Sequence, residues 1–274
     1  MEKKKFNFAD FLLAVVKGAG FIGFWFLLTQ IIAFIVTLVI TLSNFGSDPK
    51  AIEELVLRKS PEITMISNFL SLICFALFYK IRKIKFTERC LINHQPIGVY
   101  IRALALGFVG QYAIQLVLSL FMMLIPQSWI ESLEQNNEAI TGSSEVMVFI
   151  LTVIAAPLLE EIMCRSLVLG SFRKAMPKWV AIVLSSLIFG ALHANPIGII
   201  YATAFGILLG WLTTKFESVV PAILCHMAFN LTSLSLSKGV TGFDSIMLLI
   251  SVPALVWLIM NTAKYEPQSY TEEE

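Results

Sequence analysis

Apolar residues run through this chain in eight long stretches separated by short polar breaks: residues 20–42, 63–79, 99–124, 146–169, 179–193, 197–213, 219–236 and 243–260. A helix that crosses hydrocarbon needs about 20 mostly apolar residues. Lipid offers no partners to backbone N–H and C=O groups, so such stretches form helices that satisfy themselves. The pattern predicts an all-α, polytopic transmembrane helix bundle of about eight spans. The fifth and sixth stretches are short and joined only by Ala194, Asn195 and Pro196, which predicts a hairpin that stops before the far surface. Residues 1–18 read as an amphipathic cytoplasmic lead-in. The apolar run after it is too long for a secretory leader and continues as the first span. Residues 265–274 read as an acidic, solvated cytoplasmic tail, and no internal repeat divides the chain.

Composition agrees with immersion in a bilayer. Hydrophobic residues are 57% of the chain and charged residues 14%, against roughly a quarter charged in soluble domains. Mean hydropathy is +0.79. A net charge of +1 gives no field to attract nucleic acid, so no nucleic-acid partner is expected. Cys74, Cys90, Cys164 and Cys225 show no paired spacing, which predicts neither a disulfide framework nor a cysteine metal site. Of the 20 Lys and Arg, leaving out Arg165, all but Lys50, Arg58, Lys59 and Lys238 fall on one side of the predicted spans. By the positive-inside rule that side is cytoplasmic and holds both termini. The connection from Pro126 to Glu145 carries acids and no base, which suits an external loop.

Against this background the polar residues at membrane depth stand out, because a charge there costs several kcal/mol unless paired or hydrated (about 3 or more). They are Glu160, Glu161, Arg165, His193, His226 and Asn230, on three apolar segments. Glu161 and Arg165 are four residues apart, the favourable order for an ion pair on one helix face. Glu160 is turned about 100° from Glu161 and stays free of Arg165. That leaves it as the carboxylate able to act as a general base. His226 and Asn230 also lie four apart and can aim two hydrogen-bond donors at one developing oxyanion. Phe189 sits one turn before His193, so an aromatic wall flanks an imidazole that can share a water with Glu160. Each element also has a structural reading: Glu161 with Arg165 as a buried pair, the histidines and Asn230 as interhelical contacts, Phe189 as packing. Co-occurrence on three helices favours chemistry.

These residues also form motifs. Glu160-Glu161-Ile162-Met163-Cys164-Arg165 fits EExxxR, Phe189 to His193 fits FxxxH, and His226 to Asn230 fits HxxxN. In this order, from Pro157 to Asn230, they resemble the CPBP family of intramembrane peptidases, which includes the type II CAAX prenyl endopeptidases and the Abi proteins. The resemblance implies a peptidase domain over residues 19–264 with its motif core at 146–237. It implies a metal-independent glutamic endopeptidase without a cofactor, in which Glu160 and His193 activate water. His226 and Asn230 would hold the tetrahedral oxyanion, while Glu161, Arg165 and Phe189 support the pocket. The implied partner is a membrane-anchored or amphipathic peptide, and compact loops favour a bacterial plasma membrane.

Three alternatives stay open at this point. Glu160, His193 and His226 would be the ligands if a zinc ion activated the water. A preserved pocket can also bind a peptide or sensor partner without cutting it, as a regulator or immunity protein. A proton-coupled carrier would use Glu160 as its relay, although no inverted repeat supports that. A cysteine nucleophile is disfavoured, since Cys225 and His226 are adjacent and diverge on a helix. One tension remains. Straight helices would place Glu160 and His193 at different depths, and Pro157, tilt or a hairpin turning inside the protein at Pro196 would have to bring them together.

Overall fold

The computed structural model describes residues 8–141 and 144–266, with side chains throughout except over 136–141. Its described residues form helices and connecting turns. They are α1 (Phe8–Ser43), α2 (Pro49–Arg58), α3 (Ser60–Ile81), α4 (Phe86–Arg89), α5 (Ile97–Phe121, continued by a 3-10 turn to Leu124) and α6 (Gln127–Thr141). These are followed by α7 (Glu145–Phe172), α8 (Lys178–Ala191), α9 (Pro196–Phe216), α10 (Val220–Leu236) and α11 (Gly242–Lys264). Six of them, α1, α3, α5, α7, α9 and α11, are long and apolar enough to cross a membrane, and α8 and α10 are shorter apolar helices. The chain is an integral membrane helix bundle. The lead-in and the first span are one continuous helix from Phe8, and of the tail only Tyr265 and Glu266 lie within the described residues.

The expected short pair is only half right. Stretch five is short, as α8, but stretch six is a full span of 21 residues and stretch seven is the second short helix, at 17. The sixth runs on to Phe216, and the Thr213 and Thr214 hydroxyls along its last turn bond back to the carbonyls of Leu209 and Trp211. Lys215 reaches past the helix end to the Ala263 carbonyl. Glu217 then enters the left-handed region at φ 45° and stops the helix. Pro221, whose missing N–H is tolerated only in a first turn, fixes the late start of α10.

Helix α7 is the axis of the bundle. It touches α1, α3, α8, α9 and α10, and every residue from Ile162 to Leu169 is buried. Two stretches of it, Ile150–Ala155 and Ile162–Leu169, are wound as π-helix. Wide turns of this kind are rare and concentrate at functional sites. On one flank α5 packs along α10 and α11, and on the other α1 packs on α3. Lipid tails are as apolar as leucine, so close packing and interhelical hydrogen bonds hold such helices together. Trp25 donates to Asn68 across α1 and α3, and Tyr112 donates to the buried Asp244 across α5 and α11 at 2.5 Å.

The closest approach depends on one glycine. A Cβ at Gly107 on α5 would lie 2.0 Å from the Cys225 carbonyl oxygen on α10. Gly107→Ala is expected to push the two helices apart at a cost of about 3 kcal/mol or more. The check is the thermal unfolding midpoint in detergent. An unchanged midpoint would mean that the crossing is not as close as described.

The ends of the bundle are chemically distinct. At one end Arg173 bridges to Glu217 at 2.6 Å, the Arg102 guanidinium stacks on Tyr265 at 3.8 Å, and Arg89 donates to the carbonyls of Ser166 and Leu167. Lys238 pairs with Glu145 at the other.

Candidate active site

Helix α7 supplies the two acids and the arginine. Glu161 and Arg165 form an ion pair at 3.1 Å with both side chains fully buried, as their spacing predicts. Arg165 has no aligned hydrogen bond to a protein atom at any of its three nitrogens. Charge holds it instead, together with the face of Phe189, whose ring centre lies 4.6 Å from the guanidinium carbon. Gly206 on α9 makes the room, because a Cβ there would press on Arg165, Phe189 and Ser186 at 3.1–3.2 Å.

Glu161 has a second partner that spacing did not reveal. Its other oxygen lies 3.0 Å from Nδ1 of His226 on α10. An ionised carboxylate only accepts, so His226 presents Nδ1–H to Glu161, and its Nε2 faces Glu160 at 3.9 Å. The imidazole is wedged between the rings of Phe189 and Phe205, at 5.7 and 5.5 Å between centroids and nearly perpendicular to both. Phe205 in turn stacks on Phe229 at 4.0 Å. The result is a rigid histidine in an aromatic sleeve, turned by a buried acid toward an accessible one. Glu160 keeps 27% of its side chain exposed, in contrast to its fully buried neighbour.

His193 stands just beyond the end of α8. Its Nδ1 lies 3.0 Å from the Phe189 carbonyl, which can only accept, so Nδ1 carries the proton and Nε2 offers a lone pair when the ring is neutral. Its ring meets Phe189 edge-on at 5.0 Å and Tyr201 at 6.1 Å. Phe189 thus touches both imidazoles and the guanidinium, which gathers α7, α8 and α10 at one place. A tight turn joins α8 to α9. Asn195 is buried, donates to the His193 carbonyl and caps α9 by accepting from the Gly198 N–H, while Ala194 takes the left-handed conformation at φ 57°. Ending α8 at this turn leaves His193 beside Phe189, whose ring also meets His226 on α10.

Asn230 departs from the convergent-donor expectation. Its Nδ2 donates to the Thr152 carbonyl at 2.8 Å, on the first π stretch of α7. The reason lies in the backbone. The Ala156 N–H reaches back five residues to Leu151, and the next residue, Pro157, has no N–H with which to do the same for Thr152. Asn230 satisfies that carbonyl and retains one N–H. Asn230→Ala is expected to strand it and cost about 1–3 kcal/mol. A thermal midpoint equal to that of the parent protein would refute this assignment.

The four cysteines are free thiols. Burial pushes the Cys90 thiol, in the loop before α5, up to about 12, so it is unreactive at neutral pH. Among the described residues no three His, Cys, Asp or Glu side chains are placed to hold a metal ion together. The zinc alternative through Glu160, His193 and His226 therefore finds no ready ligand set. Sequence reasoning missed Phe205, Tyr201, Gly206 and the Thr152 carbonyl. Pro157, five residues after Thr152, was the available signal for the last.

Comparisons with known proteins bear on this region. Residues 142–232 match the family described as type II CAAX prenyl endopeptidase Rce1-like. The chain is 28% identical over 98 residues to "Putative membrane peptidase YdiL" of Bacillus subtilis (strain 168), an alignment covering 35% of this chain and 40% of that protein. The chain thus spans less than half the length of that relative. No solved structure matches. The matched residues contain all three motifs and nearly every side chain of the site, so the likeness to Rce1-like membrane peptidases rests on the segment that builds the site.

Proposed function

We propose that this protein is an intramembrane endopeptidase in which Glu160 activates water. One observation carries the reading: of two adjacent carboxylates, Glu161 is fully buried and paired with Arg165 and His226, while Glu160 is partly accessible and, among the described residues, its ion contact is with Nε2 of His226 at 3.9 Å. Glu160 takes a proton from water, and His193 Nε2 accepts from the same molecule and orients it. The water oxygen bonds to the scissile carbonyl carbon, and the carbonyl oxygen becomes an oxyanion. His226, protonated at both nitrogens, donates from Nε2 to that oxygen, with the spare N–H of Asn230 beside it. The C–N bond then breaks, and the proton held by Glu160 passes to the departing amine.

The substrate under this proposal is a membrane-anchored or amphipathic peptide, since the site lies within helices that bilayer lipid surrounds. The basic end of the bundle is the cytoplasmic one, with residues 19–264 as the peptidase domain in a bacterial plasma membrane. The test is cleavage of a library of lipidated reporter peptides by purified protein in liposomes, with and without chelator. Chelator-insensitive cleavage is the expected result. Loss of cleavage on chelation would transfer Glu160 and the histidines to a metal mechanism, and no cleavage of any peptide would leave a binding or regulatory protein. His193→Gln is expected to lower turnover about 10²-fold, in keeping with one positioned acid–base group. Unchanged turnover would remove His193 from the mechanism.

A further inference from the structure

A cavity of about 410 Å³ opens at the basic end of the bundle, well apart from Glu160, between α1, the end of α3, the α3–α4 turn and the end of α7. Four cations line it: Lys17, Arg82, Arg89 and Lys174. Among its described lining residues only Asp10 opposes Lys17, Arg82 and Arg89. Cations crowded into one cavity repel one another and are costly to keep together without an anion.

The cavity is built rather than accidental. Arg89 is fixed by donating to the Ser166 carbonyl at 2.6 Å, to the Leu167 carbonyl and to the Ser171 hydroxyl, and its guanidinium lies 5.6 Å from the centre of the Tyr79 ring. All of those partners are neutral, so its charge still faces the cavity. Lys17 and Arg82 stand exposed at its rim. The remaining wall is apolar, and Leu13 and Phe78, which form part of it, are 51% and 48% exposed on helices that cross the membrane. Such a site asks for a ligand with a compact anion at one end and hydrocarbon at the other.

We infer that this cavity binds the phosphate headgroup of an anionic phospholipid, with Lys17, Arg82 and Arg89 on the phosphate and the acyl chains along Leu13 and Phe78. Basic pockets between transmembrane helices at the membrane surface suit this chemistry. The apolar wall selects a lipid over free phosphate. The inference concerns binding and does not depend on the peptidase proposal.

The test is native mass spectrometry of the purified full chain in detergent, titrated with phosphatidylglycerol or phosphatidylcholine, each repeated with millimolar inorganic phosphate as competitor. Phosphatidylglycerol is expected to bind at least ~10-fold more tightly, as one or two charge-assisted contacts of about 1.4 kcal/mol would give, and phosphate should displace it only weakly. The double variant Lys17→Gln with Arg82→Gln should lose that preference, and Lys17→Arg with Arg82→Lys should keep it. Because the conservative pair preserves charge and bulk, its behaviour separates loss of the site from loss of fold. Equal affinity for the two lipids, or a preference that survives the neutral pair, overturns the inference. Full displacement by inorganic phosphate overturns its assignment to lipid.

Discussion

Glu160→Gln is expected to abolish peptide cleavage while leaving the folded protein intact. The substitution keeps the shape of the side chain and removes its ability to take a proton, and loss of a positioned general base lowers rates by about 10²–10⁴-fold. Its partly exposed position means that little packing depends on its charge. The measurement is turnover of a lipidated reporter in liposomes beside the unfolding midpoint in detergent. Cleavage within a few-fold of the parent rate would remove Glu160 from the chemistry. A large fall in the midpoint would mean that its role is structural instead. Glu161→Gln separates the two neighbours: there the carboxylate that holds Arg165 and His226 is lost, so both stability and turnover should fall together.

Arg165→Met should have the largest effect on stability of any single substitution in the site. It removes the guanidinium from a fully buried pair and leaves the Glu161 carboxylate with His226 as its remaining partner, a change that costs about 3–5 kcal/mol in comparable settings. Methionine replaces much of the lost volume, so the result isolates charge from packing. The double variant Glu161→Gln with Arg165→Met should recover part of the loss, because both members of the buried pair are then neutral. The two single variants and the double, compared by chemical or thermal unfolding in detergent, give the coupling directly. A double variant that loses the sum of the singles would show that the pair is not an energetic unit. Arg165→Lys is not expected to substitute, since an ammonium cannot lie flat on the Phe189 ring as the guanidinium does.

Much of this architecture was legible because two simple periodicities govern it. The length of each apolar run marked the helices, and the i, i+4 spacing of Glu161 with Arg165 and of Phe189 with His193 placed each pair on a common face. What escaped was set by contacts between helices, which no periodicity reports. The bond from Glu161 to His226 joins residues 65 positions apart. The engagement of Asn230 by Thr152 needs both a π turn and Pro157, and only the proline is visible as a letter. The lengths of stretches six and seven were misjudged for a related reason. The polar last turn of α9 runs on to Phe216 before Glu217 stops it, and Pro221 sets the start of α10, neither of which hydropathy reports.

The two wide turns of α7 make its chemistry sensitive to length as well as to composition. An α-helix advances about 100° with each residue, so deletion of one residue from Ile150–Ala155 would let that stretch rewind as ordinary helix. The helix before and after would keep its place, because the wide turn absorbs that one residue, and only the carbonyls inside the stretch would be re-aimed. Thr152 would turn away from Asn230, yet the EExxxR, FxxxH and HxxxN letters would all survive. Two proteins that share these motifs letter for letter can therefore differ in competence through a single-residue gap outside them, and an alignment that scores only the motifs will not register the difference.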